Sequence, residues 1–416
     1  MDSRAQEWRN GMDSLFQEDE AAGIFRFSPR VYSDPYFFQR EQRRIFDHAW
    51  LYAAHESELP NNGDFLTRRV GGRPLLFVRG TDGQIRVFHN ACRHRGAMVC
   101  RHAHGNARNF QCFYHYWTYD TAGRLIGVPG KDSYGPGFAE NALGLYEVRA
   151  DSYRGWLFAC FSRETVPLKD YLAGVCDYLD MILDQDEGGS AILPGAHEYS
   201  MRANWKMLME NTLDIYHLNS THSRYMYDYV PKVLGLTPPD PRTANAGALS
   251  PKSLGNGHVV IEYRKFSGVA DEAKRKLWET RFGKERATRM LDYTRTLLLF
   301  PNTLFIEQRR VIRTCFPLAA DHTEVTGYPL MPAVDDPEIR KQRLDIYLSF
   351  LGPAGFATPD DVEVMELIQK NCAGLPAEAL VDCSRGMADA QPKPNDELQM
   401  RIFWRRWRDL VGQGPA

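Results

Sequence analysis

Two short stretches constrain this chain more than anything else in it. Cys92-Arg93-His94 and Cys112-Phe113-Tyr114-His115 read as C-x-H, seventeen residues, then C-x-x-H, two loops that each offer one thiolate and one imidazole. Eight cysteines in 416 residues are too few for a secreted disulfide scaffold. In a reducing compartment they default to buried thiols or metal ligands. Cys92 and Cys112 are the two picked as ligands, because histidines stand beside both. From Phe65 to Phe161 the chain is rich in β-branched and aromatic residues, broken by turn signals such as Gly71-Gly72, Thr81-Asp82-Gly83 and Thr121-Ala122-Gly123. The four ligands therefore fall in a small all-β domain.

Two Cys on one iron and two His on the other is the ligand set of a Rieske-type [2Fe–2S] cluster, in which neutral imidazoles raise the potential above that of an all-Cys cluster. A zinc knuckle could use the same four groups, but Cys2His2 zinc sites usually follow other spacings. Cys100-Arg101-His102 repeats the first triplet closer to the second pair. Cys92 is preferred, since only the first triplet is followed by Arg95-Gly96 and only it gives the seventeen-residue interval. At these residues the chain resembles the Rieske non-haem iron oxygenases, whose large subunits carry Cys-x-His-Arg-Gly and then Cys-x-Tyr-His-x-Trp. The second loop here reads Cys112-Phe113-Tyr114-His115-Tyr116-Trp117. The residue after the histidine is commonly Gly in that family, so Tyr116 is a departure.

About a hundred residues on, Asn204-Trp205-Lys206, Glu210-Asn211, Asp214, His217 and His222 stand in one segment. Apolar residues at Trp205, Leu208, Met209, Thr212, Ile215 and Tyr216 predict a mostly buried helix over Asn204 to Thr221. Two histidines and a distant carboxylate would form a facial triad that leaves positions open on Fe(II). Asp214 and His217 share a helix face at i,i+3. His217 and His222, at i,i+5, lie about 140° apart on an ideal helix. Their convergence requires the helix to loosen near Leu218 to Ser220. The bland reading makes them polar residues near a helix end, and makes Lys206, Glu210 and Asp214 a solvated charge stripe.

A Rieske motif followed by this segment resembles the oxygenase large subunits across nearly the entire chain. The resemblance implies a third ligand downstream. Gly352-Pro353-Ala354-Gly355-Phe356 followed by Asp360-Asp361 is similar to the family's segment near that carboxylate, and the second Asp, Asp361, is the matching position. Asp360 is the runner-up. With Thr358 as N-cap and Pro359 in the first turn, a helix is expected to Asn371, ending near Gly374, and Asp361 could simply close a capping box. The resemblance further implies NADH-derived electrons arriving through a separate reductase or ferredoxin, and O2 added to an aromatic ring, usually to give a cis-dihydrodiol. It also implies a unit of three chains, a homotrimer with or without a small β subunit, in which Asp214 bridges His115 of one subunit and His217 of the next.

The Glu-Asn-x2-Asp spacing matches the branch that oxidises aromatic carboxylates, such as benzoate, cumate, salicylate and terephthalate, better than the naphthalene and biphenyl branch. A carboxylate would want a bidentate cation. Arg309 and Arg313 share one face, with Val311, of an expected strand over Phe305 to Cys315. They could equally pair with acidic residues on a sheet surface. A monohydroxylase or O-demethylase could use the same two metal sites. A Rieske electron carrier fused to a ligand-binding domain would hold two irons per chain instead of three.

Composition sets the frame. The 51 Lys and Arg nearly cancel the 53 Asp and Glu, leaving a charge of -2, without the basic surplus of a nucleic-acid or acidic-membrane binder. No apolar run approaches the roughly 18 residues of a membrane span, and residues 2–7 lack the order of a secretory signal, so a cytoplasmic protein is expected. At 43% hydrophobic the chain can build two or three packed units. The expected class is α+β: an N-terminal helical part of the catalytic domain (1–47), an all-β Rieske domain (48–165) inserted into it, and a helix-grip catalytic domain with an antiparallel sheet (166–416). Helices are expected over Asp34 to Trp50, Tyr171 to Leu183 and Asp271 to Met290. Strands are expected over Val259 to Lys265, Thr303 to Thr314 and Glu324 to Pro332, with a surface connection over 236–256.

Overall fold

The computed structural model describes residues 12, 14–186, 188–235, 237, 249–265 and 272–413. The chain divides into two compact units: residues 47–168, and a discontinuous unit of residues 1–46 with 169–416. The class is α+β, with every strand pairing antiparallel. No described helix is long and apolar enough to cross a membrane.

The continuous unit is built almost wholly of short strands. Its larger sheet has seven, including Arg73–Arg79, whose Leu75 to Val78 are fully buried, and β1 (Ile85–His89) beside it. A second sheet of three strands contains β2 (Asn109–Gln111) and β3 (Thr118–Asp120). Phe65, Leu76, Phe88, Phe110 and Trp117 form a core in which Cys92, Cys100 and Cys112 are also buried. The chain leaves β1 into the first Cys/His loop, and the second loop joins β2 to β3.

The discontinuous unit is organised on an eight-stranded sheet. At its centre β4 (Thr303–Ile306), β5 (Val311–Ala319) and β6 (His322–Pro332) form a meander, and the expected strand over Thr303 to Thr314 is thus a hairpin. Glu307–Arg309 make one 3₁₀ turn and Arg310 takes φ +51°. Fully buried Arg295 holds Glu307 at 3.1 Å, and Arg310 pairs with Asp186. Those partners let Glu307 and Arg310, the two ends of a turn without Gly, Pro or Asn, be buried. The expected strand near Val259 is present as His258–Arg264.

Helices depart from expectation in instructive ways. The first runs Pro35–Glu41, with Asp34 capping Tyr36 N–H at 3.0 Å, and continues as one wider π turn to Phe46, short of Trp50. The segment expected over Tyr171 to Leu183 is two helices, Leu168–Leu172 and Val175–Leu183, separated at Ala173, which takes φ +47°. The segment expected from Asp271 is also two, Glu272–Phe282 and Lys284–Asp292, because Gly283 between them takes φ +81°. Asp271 itself, and residues 236 and 238–248 of the expected connection, lie outside the described residues. The end of that connection is an edge strand, Lys252–Gly255.

Candidate metal centres

The two Cys/His loops are built to one plan. Cys92 N–H donates to Ala97 O and Gly96 N–H to Cys92 O; Cys112 N–H donates to Trp117 O and Tyr116 N–H to Cys112 O, all at 2.8 Å. Each loop closes through a residue in the left-handed region, Gly96 at φ +73° and Tyr116 at φ +58°. Glycine adopts that conformation freely, whereas a side chain costs about 1–2 kcal/mol there. The plan brings the His94 and His115 Nδ1 atoms to 3.1 Å, with Trp117 stacked on His94 at 4.9 Å. Both Cys92 and Cys112 are buried, and Tyr119 Oη lies 3.3 Å from Cys92 Sγ while accepting from Arg93 N–H. Burial, then neighbouring Cys92, pushes the Cys112 thiol up. Burial first, then His115 and Arg95, pulls the His94 imidazole down, so that ring favours the neutral form that binds metal. Cys100 faces the other way chemically: its thiol is directed at His102 O, and its backbone is tied by Asn90 through Val99 N–H, Cys100 N–H and Cys100 O.

The second centre starts from helix α1 (Trp205–Leu213), which Asn204 caps at Lys206 N–H. This helix is shorter than the expected 204–221. It ends at Asp214, whose backbone is extended (φ −87°, ψ 103°) and whose Oδ1 accepts from Tyr216 N–H at 2.7 Å, an Asx turn. The break therefore precedes His217, while Leu218–Thr221, where loosening was expected, forms a short helix α2 flanked by His217 and His222. Asp214 and His217 do not share a helix face, yet Asp214 Oδ2 lies 3.5 Å from His217 Nδ1. A tertiary contact explains the early stop. Gln399, on helix α4 (Leu398–Val411), donates to Leu213 O.

Asp361 arrives from helix α3 (Ala357–Cys372). Its Oδ1 is 3.4 Å from His217 Nε2 and 3.1 Å from His222 Nε2, and those two nitrogens are 3.2 Å apart. Among the described residues, these three form the cluster of His, Cys, Asp or Glu donors close enough to hold one ion. Two imidazole nitrogens and a carboxylate oxygen converging on one point is the donor set of a divalent iron site. Burial raises the Asp361 carboxyl, but the hydrogen bonds and charges of His217 and His222 outweigh it and hold it well below the usual carboxylate range. Burial likewise lowers the His217 imidazole, and Asp214 and Asp361 outweigh it, holding it up at about 9. Asp361 is not a helix-capping residue. The helix begins one residue before Thr358, whose hydroxyl donates to Leu351 O, and Asp361 is buried within it. Asp360 is half-exposed, with Oδ2 3.7 Å from His222 Nδ1.

Two residues of this neighbourhood carried no assigned role in the sequence. Asn211 Nδ2 donates to Asp361 Oδ1 at 3.1 Å, holding it from the helix that precedes the histidines. Glu41, fully buried, accepts from Lys206 Nζ, Trp205 Nε1 and Trp407 Nε1 at 2.5–2.8 Å. Its spacing is a signal: Glu41 sits four residues after Phe37 and four before Ile45, a carboxylate inside an apolar stripe that demands buried partners. The charge stripe of α1 is accordingly not solvated. Glu210 takes hydrogen bonds from Tyr32 and Trp404, each at 2.6 Å, and burial pushes its carboxyl up to about 7.

A cavity of about 130 Å³ opens at the histidines, lined mostly by apolar side chains such as Met226, Ile306, Phe350 and Leu351, with Arg309 and Arg313. The two arginines do not share a strand face. Arg309 lies in the turn before β5, its guanidinium 4.7 Å from the Phe350 ring, and Arg313 lies on β5. Arg313 is 4% exposed. Its one polar side-chain partner among the described residues is Thr358 Oγ1 at 3.4 Å, and no carboxylate lies within ion-pair distance.

Residues 49–147 match the Rieske [2Fe-2S] domain, and residues 193–413 match the catalytic domain of the ring hydroxylating alpha subunit. The chain belongs to the Rieske ring-hydroxylating oxygenases. It is 34% identical over 393 residues to the toluate 1,2-dioxygenase subunit alpha of Pseudomonas putida, covering 90% of this chain and 84% of that one. It is 31% identical over 406 residues to the 2-halobenzoate 1,2-dioxygenase large subunit of Burkholderia cepacia, covering 94% and 86%. The naphthalene 1,2-dioxygenase of a Rhodococcus species, solved with indole bound, superposes with a TM-score of 0.85 at 27% identity over 98% of both chains. As a Rieske oxygenase of this family, the chain is an oxidoreductase that carries a [2Fe–2S] cluster and a mononuclear iron, and hydroxylates an aromatic ring with O2 and NADH-derived electrons delivered by a reductase or ferredoxin.

Proposed function

We propose that this chain is the large subunit of a dioxygenase that converts an aromatic carboxylate to its cis-dihydrodiol. Cys92 and Cys112 would hold one iron of the cluster, and His94 and His115 the other. His217, His222 and Asp361 would hold the mononuclear iron, with Asn211 fixing the carboxylate and Asp214 fixing His217 through Nδ1. When bound, the cluster supplies single electrons and the mononuclear iron supplies open positions for O2 beside the ring. The protein's own contribution is placement: an apolar cavity excludes water, and a cation at its edge orients the ring.

Buried Arg313 carries the choice of substrate. A guanidinium that is desolvated, faces the cavity and has no carboxylate partner among the described residues has its counter-ion still to come. A substrate carboxylate satisfies it, and Arg309, resting on Phe350, offers a second cation to the same group. The names of the toluate and 2-halobenzoate relatives agree with this chemistry. The test is turnover of benzoate-like acids against their uncharged analogues, with product identification. Acids oxidised to cis-dihydrodiols support the reading. Equal turnover of both classes would remove its basis, and phenols or demethylated products would replace dihydroxylation by monohydroxylation or O-demethylation.

The working unit in this reading is a cytoplasmic ring of three chains, with or without a small β subunit. Asp214 would connect His115 of one subunit to His217 of the next, since a head-to-tail interface repeated about a threefold axis closes on itself.

A further inference from the structure

Tyr116 occupies the position at which its sister loop has Gly96, in the same left-handed conformation and the same hydrogen-bonding plan. A tyrosine there is strained, and nothing within the described part of the chain compensates for it. The side chain is 58% exposed and makes no hydrogen bond, ion pair or ring contact among the described residues. Its surroundings are exposed as well: Phe113 at 51% and Tyr114 at 53%. The loop region is also one-signed. Between residues 83 and 119 there is no Asp or Glu, while Arg95 and Arg101 are exposed. An aromatic, cationic tip thus surrounds His115.

A face of opposite character lies beside the iron site. On α3 the residues Asp360, Glu363, Val364, Leu367 and Ile368 fall at i, i+3, i+4, i+7 and i+8, one stripe of the helix, and all are exposed. Asp361, Met365 and Gln369 occupy the buried side. An apolar stripe left facing water, acidic at the end nearest His222, is an unpartnered surface whose charge complements the tip.

We propose that Tyr116 is a docking residue, packing onto the Val364–Leu367–Ile368 stripe of a second copy of this chain with Arg95 and Arg101 facing Asp360 and Glu363. This inference rests on the ring assembly proposed above. It adds the side chain that fixes the approach of one copy's cluster to the next copy's iron, and gives the strained tyrosine its reason. An acidic electron-donor protein is the competing occupant of the tip.

The test is assembly of the holoenzyme, followed by sedimentation with cluster absorbance as the check on folding. Tyr116→Gly relieves the backbone and Tyr116→Ala does not, but both remove the ring. Both are expected to raise the dissociation constant of the assembly at least tenfold, and Tyr116→Phe to restore it. Leu367→Asp, at a 49% exposed position, is expected to weaken assembly to the same degree, and the double variant no further. A wild-type chain that sediments alone would overturn the ring reading and this inference with it. A wild-type ring that all these variants form equally well would overturn this inference alone. Unchanged assembly with a slower reduction of the cluster by its donor would assign the tip to that donor instead.

Discussion

The two metal centres are assembled from opposite kinds of information. The cluster loops occupy 24 consecutive residues, 92–115, and each is closed by its own backbone hydrogen bonds. The iron site draws two histidines from a helix broken at Asp214 and a carboxylate from 139 residues beyond His222. A local motif carries its own geometry, so spacing is enough to read it. A dispersed one exists only once the fold is complete: Asn211 on α1 must meet Asp361 on α3, and Gln399 on α4 must reach Leu213 O.

If that contrast holds, each centre can be removed without the other. Asp361→Ala is expected to abolish oxygenation, by about a thousandfold or more, and to lower iron from three to two atoms per chain while the cluster absorbance survives. Asp360→Ala should leave iron near three. Cys112→Ala should do the converse, bleaching the cluster and its acid-labile sulfide, with Cys100→Ala spectrally silent. Loss of colour on changing Cys100, or loss of iron on changing Asp360 alone, would break the assignment of the respective centre. Next in size, Arg313→Gln should lower kcat/KM for an aromatic acid about a hundredfold and leave an uncharged analogue nearly untouched, because a desolvated pair is severed only for the acid. Asp214→Asn keeps shape and removes charge. Iron content should stay near normal while reoxidation of the reduced cluster slows about tenfold or more.

The smallest effect compares the units by acid. Each has a histidine that burial pulls down to about 4, His55 in residues 47–168 and His258 in the other. His258 bonds Tyr171 O through Nε2 and accepts from Phe300 N–H through Nδ1, so its neutral form is built in. A depressed histidine pKa means the unfolded chain binds the proton first. This contribution to stability is full above about 6.5 and lost as pH falls towards 4. His258→Gln should shift the acid-unfolding midpoint by less than about one pH unit, measured by tryptophan fluorescence, and leave the cluster absorbance to fade at its own pH.

What was legible follows the same line. The meeting of the two Cys/His loops, the antiparallel sheet near Val259 and Glu324, and the approach of His217 to His222 follow from local patterns and could be read. The turn at Glu307–Arg310 could not, because Arg295 and Asp186 hold it from elsewhere and it has no turn-forming residue to announce it. The break at Asp214 was expected four residues late for a related reason: the stop comes from Gln399, far along the chain. Thr358 looked like an N-cap because the cap signal is real in sequence, but its hydroxyl is committed to Leu351 O. Arg309 and Arg313 were placed on one strand face by alternation. They meet at the cavity by a different route, one from a turn and one from a strand.

The Glu41 network sets an order of events during synthesis. Glu41 emerges early, yet its partners Lys206 and Trp407 follow 165 and 366 residues later, the last of them on α4 near the end of the chain. Residues 47–168 form one unbroken stretch and can close around their cluster while the ribosome still holds the rest. The helix Pro35–Glu41 must wait, with a carboxylate destined for full burial kept in water until α4 arrives. The residues that would store the electron are thus contiguous in the chain, whereas those that would spend it are complete only once α4 has been made.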